Sequence, residues 1–173
     1  MSGNNNQVVQ LAREAIEEYV KNSHKIQPPQ NLSEVMQKER GVFVSIKKNG
    51  NLRGCIGTTG PTQENVAREI IRNAINACSK DPRFQPVKPE ELEKLEISVD
   101  ILGEQELVSD LDELDPDKYG VIVKKGSRTG LLLPDLEGIE TVREQVNIAK
   151  KKAGIPPAEN NVELYRFQVH RYE

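Results

Sequence analysis

At 173 residues, with 24 Lys and Arg against 27 Asp and Glu, the chain carries a formal charge of −3, so it lacks the positive field that drives non-specific binding to nucleic acid. Asparagines stand at positions 4, 5 and 6 where a signal peptide needs an apolar core, and no run approaches the roughly 20 apolar residues of a membrane span. Two cysteines, Cys55 and Cys78, make no disulfide framework and no Cys or His pair has zinc-ligand spacing, which points to a reducing, cytoplasmic setting with no metal and no cofactor.

Residues 1–6 are expected to form a flexible tail. Val8, Leu11, Ala12, Ala15, Ile16 and Tyr19 then recur at helical spacing from Gln7 to Asn22, with Glu17 and Lys21 as a favourable i,i+4 pair on the polar face. After Pro28 and Pro29 a short helical stretch around Leu32, Val35 and Met36 ends near Gly41. Val42, Val44 and Ile46 alternate with Phe43, Ser45 and Lys47, and a Lys48-Asn49-Gly50 turn leads into a second extended run, Asn51 to Gly57: a hairpin. An amphipathic helix carries Val66, Ala67, Ile70, Ile71, Ala74, Ala77 and Cys78 and stops before Asp81-Pro82. Leu95, Ile97, Val99 and Ile101 mark a strand with one buried face. Gly120–Val123 and Gly130–Leu133 flank the six residues 124–129 as a second hairpin, and a helix from about Glu140 to Ala153 meets an αL stop at Gly154. Val162 to Tyr172 alternates as one last strand. Helices and antiparallel strands mix without a βαβ rhythm, so the fold class is α+β.

The register of the first hairpin decides which way Cys55 points, because a one-residue slip exchanges the faces of a strand. A two-residue Asn49-Gly50 loop would pair Ile46 with Arg53 and turn Arg53 to the apolar face. A three-residue loop with Gly50 in αL pairs Ile46 with Leu52 and Val42 with Ile56, and places Arg53 and Cys55 opposite the aliphatic face, beside Phe43 and Ser45. That register is the expected one. Gly54 and Gly57 then leave room beside a thiol whose nucleophilic form a neighbouring guanidinium favours, and a helix start near Pro61 offers N–H groups to an anion. The bland alternative is a small buried packer, which suits Cys78 better than Cys55.

Leu52-Arg53-Gly54-Cys55-Ile56-Gly57 resembles the hallmark of the AMMECR domain family, in its prokaryotic AmmeMemoRadiSam branch. Asp81-Pro82-Arg83-Phe84, Leu131-Leu132-Leu133-Pro134, Lys152-Ala153-Gly154 and Leu164-Tyr165-Arg166-Phe167 continue the resemblance in order, over nearly the whole chain. It implies a single domain over 1–173 with two unequal lobes, no settled activity, and a pathway shared with a Memo-like protein and a radical SAM protein. Tyr119-Gly120 stands where relatives commonly have His-Gly, and Gly138-Ile139 where they have Gly-Trp. An unperturbed tyrosine, with a pKa of about 10, does not replace a histidine base near neutral pH.

Two functional readings follow. The first is a binding or adaptor module with a cleft for a small anion or a partner segment, built from Arg53, Gly54, Gly57, Asp81 and Arg83. The second is an enzyme with Cys55 as nucleophile and Arg53 as anion holder. The available imidazoles are His24 and His170, both in polar surroundings. Glu90, Glu91, Glu93, Glu96 and the stretch 110–117 read as solvated charge runs, and the Lys124-Lys125-Arg128 tip lacks the interleaved aromatics of a nucleic-acid binder.

Overall fold

The apolar stripe of the first helix is sealed: Val8, Ala12, Ala15 and Ile16 are fully buried on α1 (Ser2–Asn22). The structure, a computed structural model, describes the backbone of residues 2–173 and side chains from Gln7 onward. The tail expected at 1–6 falls partly outside the described residues; from Ser2 the backbone is already helical. A four-residue α2 (Glu34–Gln37) follows and buries Met36. The helix read from Val66 is α3 (Val66–Ser79), whose N-cap Asn65 accepts a hydrogen bond from the Arg68 N–H at 3.0 Å. In α4 (Val142–Ala153), Thr141 and Glu144 close a capping box the sequence reading did not name, and Gly154 ends the helix at φ 71°, the expected αL stop.

The chain divides into two units, one comprising residues up to Leu102 together with His170–Glu173, the other Gly103–Val169. In the first, β1 (Val42–Lys48), β2 (Asn51–Gly57), β3 (Leu95–Leu102) and β8 (Val169–Tyr172) form an antiparallel sheet in the order β2-β1-β3-β8. Val42, Val44, Ile46, Ile97 and Val99 point from it into a core shared with α1 and α3. The second unit has the order β4-β7-β5-β6, with β4 (Glu106–Val108), β5 (Gly120–Lys125), β6 (Arg128–Leu132) and β7 (Glu163–Phe167). Val121, Val123, Leu132, Val146 and Ala149 fill its core under α4. The fold is thus mixed α+β with antiparallel sheets and, among the described residues, four α-helices. Among the described residues, no helix is long and apolar enough to cross a membrane.

The structure corrects three sequence expectations. The first hairpin turns on two residues, Asn49 (φ 53°) and Gly50 (φ 79°), with Lys48 opposite Asn51; both central residues have the positive φ of a type I′ turn. A bulge then restores the parity that the three-residue loop was meant to supply: Lys47 faces Leu52 and Ile46 faces Gly54, so Arg53 is the extra residue. Leu52 is consequently 41% exposed rather than in the core. The second hairpin is also tighter than read, with Lys125 opposite Arg128 across Gly126 (φ 60°) and Ser127. Finally, the single strand expected over 162–172 is two, broken at Gln168, with β7 paired in the second sheet and β8 in the first.

Candidate functional site

Past the bulge, Cys55 lies opposite Ser45 and shares its face of the sheet, away from the aliphatic layer, as the sequence reading required. Its thiol is half-buried and sits 3.3 Å from the Ser45 hydroxyl. β2 is an edge strand, and the outward backbone of Cys55 is occupied. Its N–H donates to Asp81 Oδ2 at 3.0 Å and its carbonyl accepts from Arg83 at 3.4 Å. Asp81 and Arg83 therefore meet Cys55, hydrogen-bonding through its main chain and plugging a sheet edge that would otherwise offer unpaired groups, with the Arg83 guanidinium also within electrostatic reach of the thiol.

Arg53 goes elsewhere. As the bulge residue it turns to Glu91 in a six-residue 3₁₀ helix (Pro89–Lys94), donating from Nε and an η-nitrogen at 3.1 and 3.0 Å, and to the carbonyls of Gln85 and Pro86 at 2.7 and 3.3 Å. Lys48 joins the same carboxylate at 2.9 Å, and the Lys88 N–H completes four donors. The Arg53 guanidinium holds Glu91 down from its ordinary 4.5 to about 2. A guanidinium bound bidentately to an internal carboxylate is not the thiolate partner that the sequence reading made of it.

The room foreseen at the glycines is also filled. A β-carbon at Gly54 would overlap the carbonyl oxygen of Ala77, because α3 seats directly on the strand there; one at Gly57 would overlap the Phe43 ring. Neither position opens a hollow beside the sulfur. The amides after β2 meet a carboxylate from their own chain: Glu69, fully buried on α3, accepts from the N–H groups of Thr62 and Gln63 at 2.9 and 2.8 Å and from the hydroxyls of Thr58 and Thr62 at 2.8 and 2.6 Å. Asn73, one turn on, donates to the Val42 carbonyl at 2.9 Å. Sequence reasoning missed both residues, although their signal was present: Glu69 and Asn73 interrupt the apolar stripe running from Val66 to Ala77 at helical spacing.

Three internal carboxylates thus saturate the donors near the hallmark motif. Glu69, Asp81 and Glu91 each accept four hydrogen bonds; for Asp81 they come from Cys55 N–H and from the backbone and guanidinium of Arg83. The Arg83 guanidinium, helped by the Cys55 N–H and opposed by burial, holds the Asp81 carboxyl far below the usual carboxylate range. Cys78 is buried against the Ile75 carbonyl, and desolvation pushes its thiol up to about 11, the inert packer expected. His24 stands 3.6 Å from Glu18, and His170 stacks on Tyr172 at 4.7 Å. Tyr119, in the second unit, lies under the Arg166 guanidinium at 4.4 Å. No group of three or more metal-ligating side chains occurs among the described residues.

These features define a mixed α+β protein whose signature loop is a bulged, plugged edge strand carrying a half-buried thiol. The AMMECR1 family model matches residues 9–172, across both units, and the chain belongs to that family. A Thermotoga maritima protein is 54% identical, covering 95% of this chain and 96% of its own length. A Clostridium acetobutylicum protein is 48% identical over 95% of this chain, which spans only 35% of that relative. Among solved structures, the crystal structure of the uncharacterized protein PH0010 from Pyrococcus horikoshii superposes with a TM-score of 0.86 at 33% identity, covering 95% of this chain and 88% of that one.

Proposed function

We propose that this chain is a non-enzymatic binding module whose contact surface is the outer face of β1 and β2 around Cys55 and Ser45, working in the cytoplasm with the Memo-like and radical SAM proteins its family resemblance implies. One observation carries the reading. The Cys55 thiol has a hydroxyl for its side-chain neighbour, with no imidazole or carboxylate hydrogen-bonded to it among the described residues, while Arg53 and Arg83 are already bound to Glu91 and Asp81. A thiol nucleophile needs an activating base or a dedicated cation; Arg53 is committed to Glu91, and Arg83, which lies within electrostatic reach of the thiol, is neutralised by Asp81. The same pairing favours a partner segment over a free small anion, which would have to displace an internal carboxylate held by four donors. Asp81 and Arg83 block strand addition at the edge, which leaves the face as the surface of contact. The two free cysteines suit a reducing compartment.

Native mass spectrometry of the chain mixed with the Memo-like and radical SAM proteins tests this. A complex is expected with at least one of them, weakened at least about tenfold by Ser45→Arg, which lays a charged side chain beside Cys55, while the circular-dichroism melt is retained. Wild-type affinity in the variant would overturn the reading. Turnover accompanied by a covalent mass adduct on Cys55 would replace it with the nucleophile reading.

A further inference from the structure

We infer that the second unit carries a ligand site of its own, a pocket on α4 for a small organic anion with an apolar body, an aryl or alkyl phosphate or carboxylate. The inference stands independently of the contact surface proposed for the first unit. The pocket encloses about 480 Å³, within the range of small-molecule sites. One side is apolar, formed by Val108, Val146, Val162 and Leu164; Arg143, Asn147, Lys150 and Asn160 line it with polar groups. Arg143, Asn147 and Lys150 are spaced i, i+4, i+7, so a single face of α4 presents all three.

Two observations mark this face as built for a negative charge. Lys150 is only 5% exposed, yet among the described residues its ammonium has one acceptor, the Pro157 carbonyl at 3.1 Å, and no ion-pair partner. An ammonium has three N–H donors, and a buried one with no counter-charge in direct contact is costly. Glu159 lies within electrostatic reach, but its carboxylate is paired with Lys125 and with the Asn161 N–H. Arg143, second residue of α4, stands at the positive end of the helix dipole, where a cation is disfavoured. It is also the one arginine among the described residues with no hydrogen bond, ion pair or ring contact, in a chain that elsewhere pairs its guanidiniums closely. Asn147 and Asn160 likewise have no side-chain hydrogen bond among the described residues. Asp110 also lines the pocket; its carboxylate accepts from the Asp112 N–H at 2.9 Å and forms no ion pair with Arg143 or Lys150 among the described residues. A buried ammonium with one acceptor, an arginine and two amides without side-chain partners among the described residues, against an apolar wall, match an anionic head on an apolar body.

The test is a ¹H–¹⁵N NMR titration of the full chain with phenyl phosphate, with benzoate as the carboxylate arm. Saturable shifts are expected at Ser109, Asn147 and Asn160 with at least one of the two probes. Arg143→Ala and Lys150→Met should each weaken binding about tenfold, the effect of losing a charge-assisted hydrogen bond. Benzyl alcohol, which lacks the charge, and inorganic phosphate, which lacks the ring, should bind at least tenfold more weakly than the better probe. Shifts elsewhere, no saturable shifts with either probe, equal affinity for benzyl alcohol, or an unchanged affinity in Arg143→Ala would overturn the inference. Arg143 is exposed, so that variant decides the matter even if Lys150→Met fails to fold.

Discussion

Glu69 provides the sharpest test of how the hallmark region is held. Glu69→Ala removes the common acceptor of two backbone amides and two hydroxyls. The hydroxyls can rotate, and the loop around the exposed Thr62 can recover water, so the cost is less than that of stripping a wholly buried network. The amide losses and the side-chain void together come to about 3 kcal/mol, or about 1.5 M in urea midpoint for a slope of about 2 kcal/mol/M. Glu69→Gln keeps the shape but turns an NH₂ toward hydroxyls that already accept hydrogen bonds, Thr58 from Asn73 and Thr62 from Arg72, and should cost about 1 to 2 kcal/mol. Urea unfolding followed by circular dichroism reads both. Formate, small enough to enter the vacated site, should restore part of the Ala variant's midpoint when chloride at equal ionic strength does not. An Ala variant within about 1 kcal/mol of the parent, or a Gln variant matching it, would refute the account of Glu69 as the internal anion of this loop.

Other consequences are equally accessible. Gly54→Ala should destabilise by about 3 kcal/mol, because the obstacle is helix backbone with Ile46 already at 3.8 Å, whereas Gly57→Ala should cost about 1 kcal/mol because the Phe43 ring can swing aside; a Gly54→Ala melt equal to the parent's would show that α3 does not seat there. Glu91 has its folded pKa lowered from 4.5 to about 2, so its stabilisation is present above about pH 5 and is lost as pH falls toward 2. That loss is on the order of 2 kcal/mol, and Glu91→Gln should flatten this part of the stability–pH curve. Asp81, shifted in the same direction, keeps a residual slope at lower pH. An unaltered slope in Glu91→Gln would mean that its pairing with Arg53 adds nothing to the folded state.

The helices were legible because each buries one stripe, and Gly154 announced the end of α4. The side of the sheet that bears Cys55 was also readable, although by a route the sequence conceals. The aliphatic pattern demands that Ile46 and Ile56 share a face, and it is silent on whether the compensating residue sits in the turn or inside the strand; the chain chose Arg53. The break at Gln168 was invisible because strand alternation runs through it with no Gly or Pro to interrupt. The partners of Arg53 were hidden for another reason: Glu91 lies 38 residues away in what reads as a solvated acidic run, and only tertiary packing brings the two together. Reading Arg53, Gly54 and Gly57 as pocket walls assumed open space that helix and ring occupy.

The strand break has a temporal consequence. Tyr172 lies in the first core, and Arg171 grips the buried Asp100 carboxylate at 2.7 and 2.9 Å, yet both follow the last residue of the second unit. During vectorial synthesis the earlier unit waits, one strand short, with Asp100 lacking Arg171, while every residue of the later unit has already emerged. The unit begun first is the one completed last.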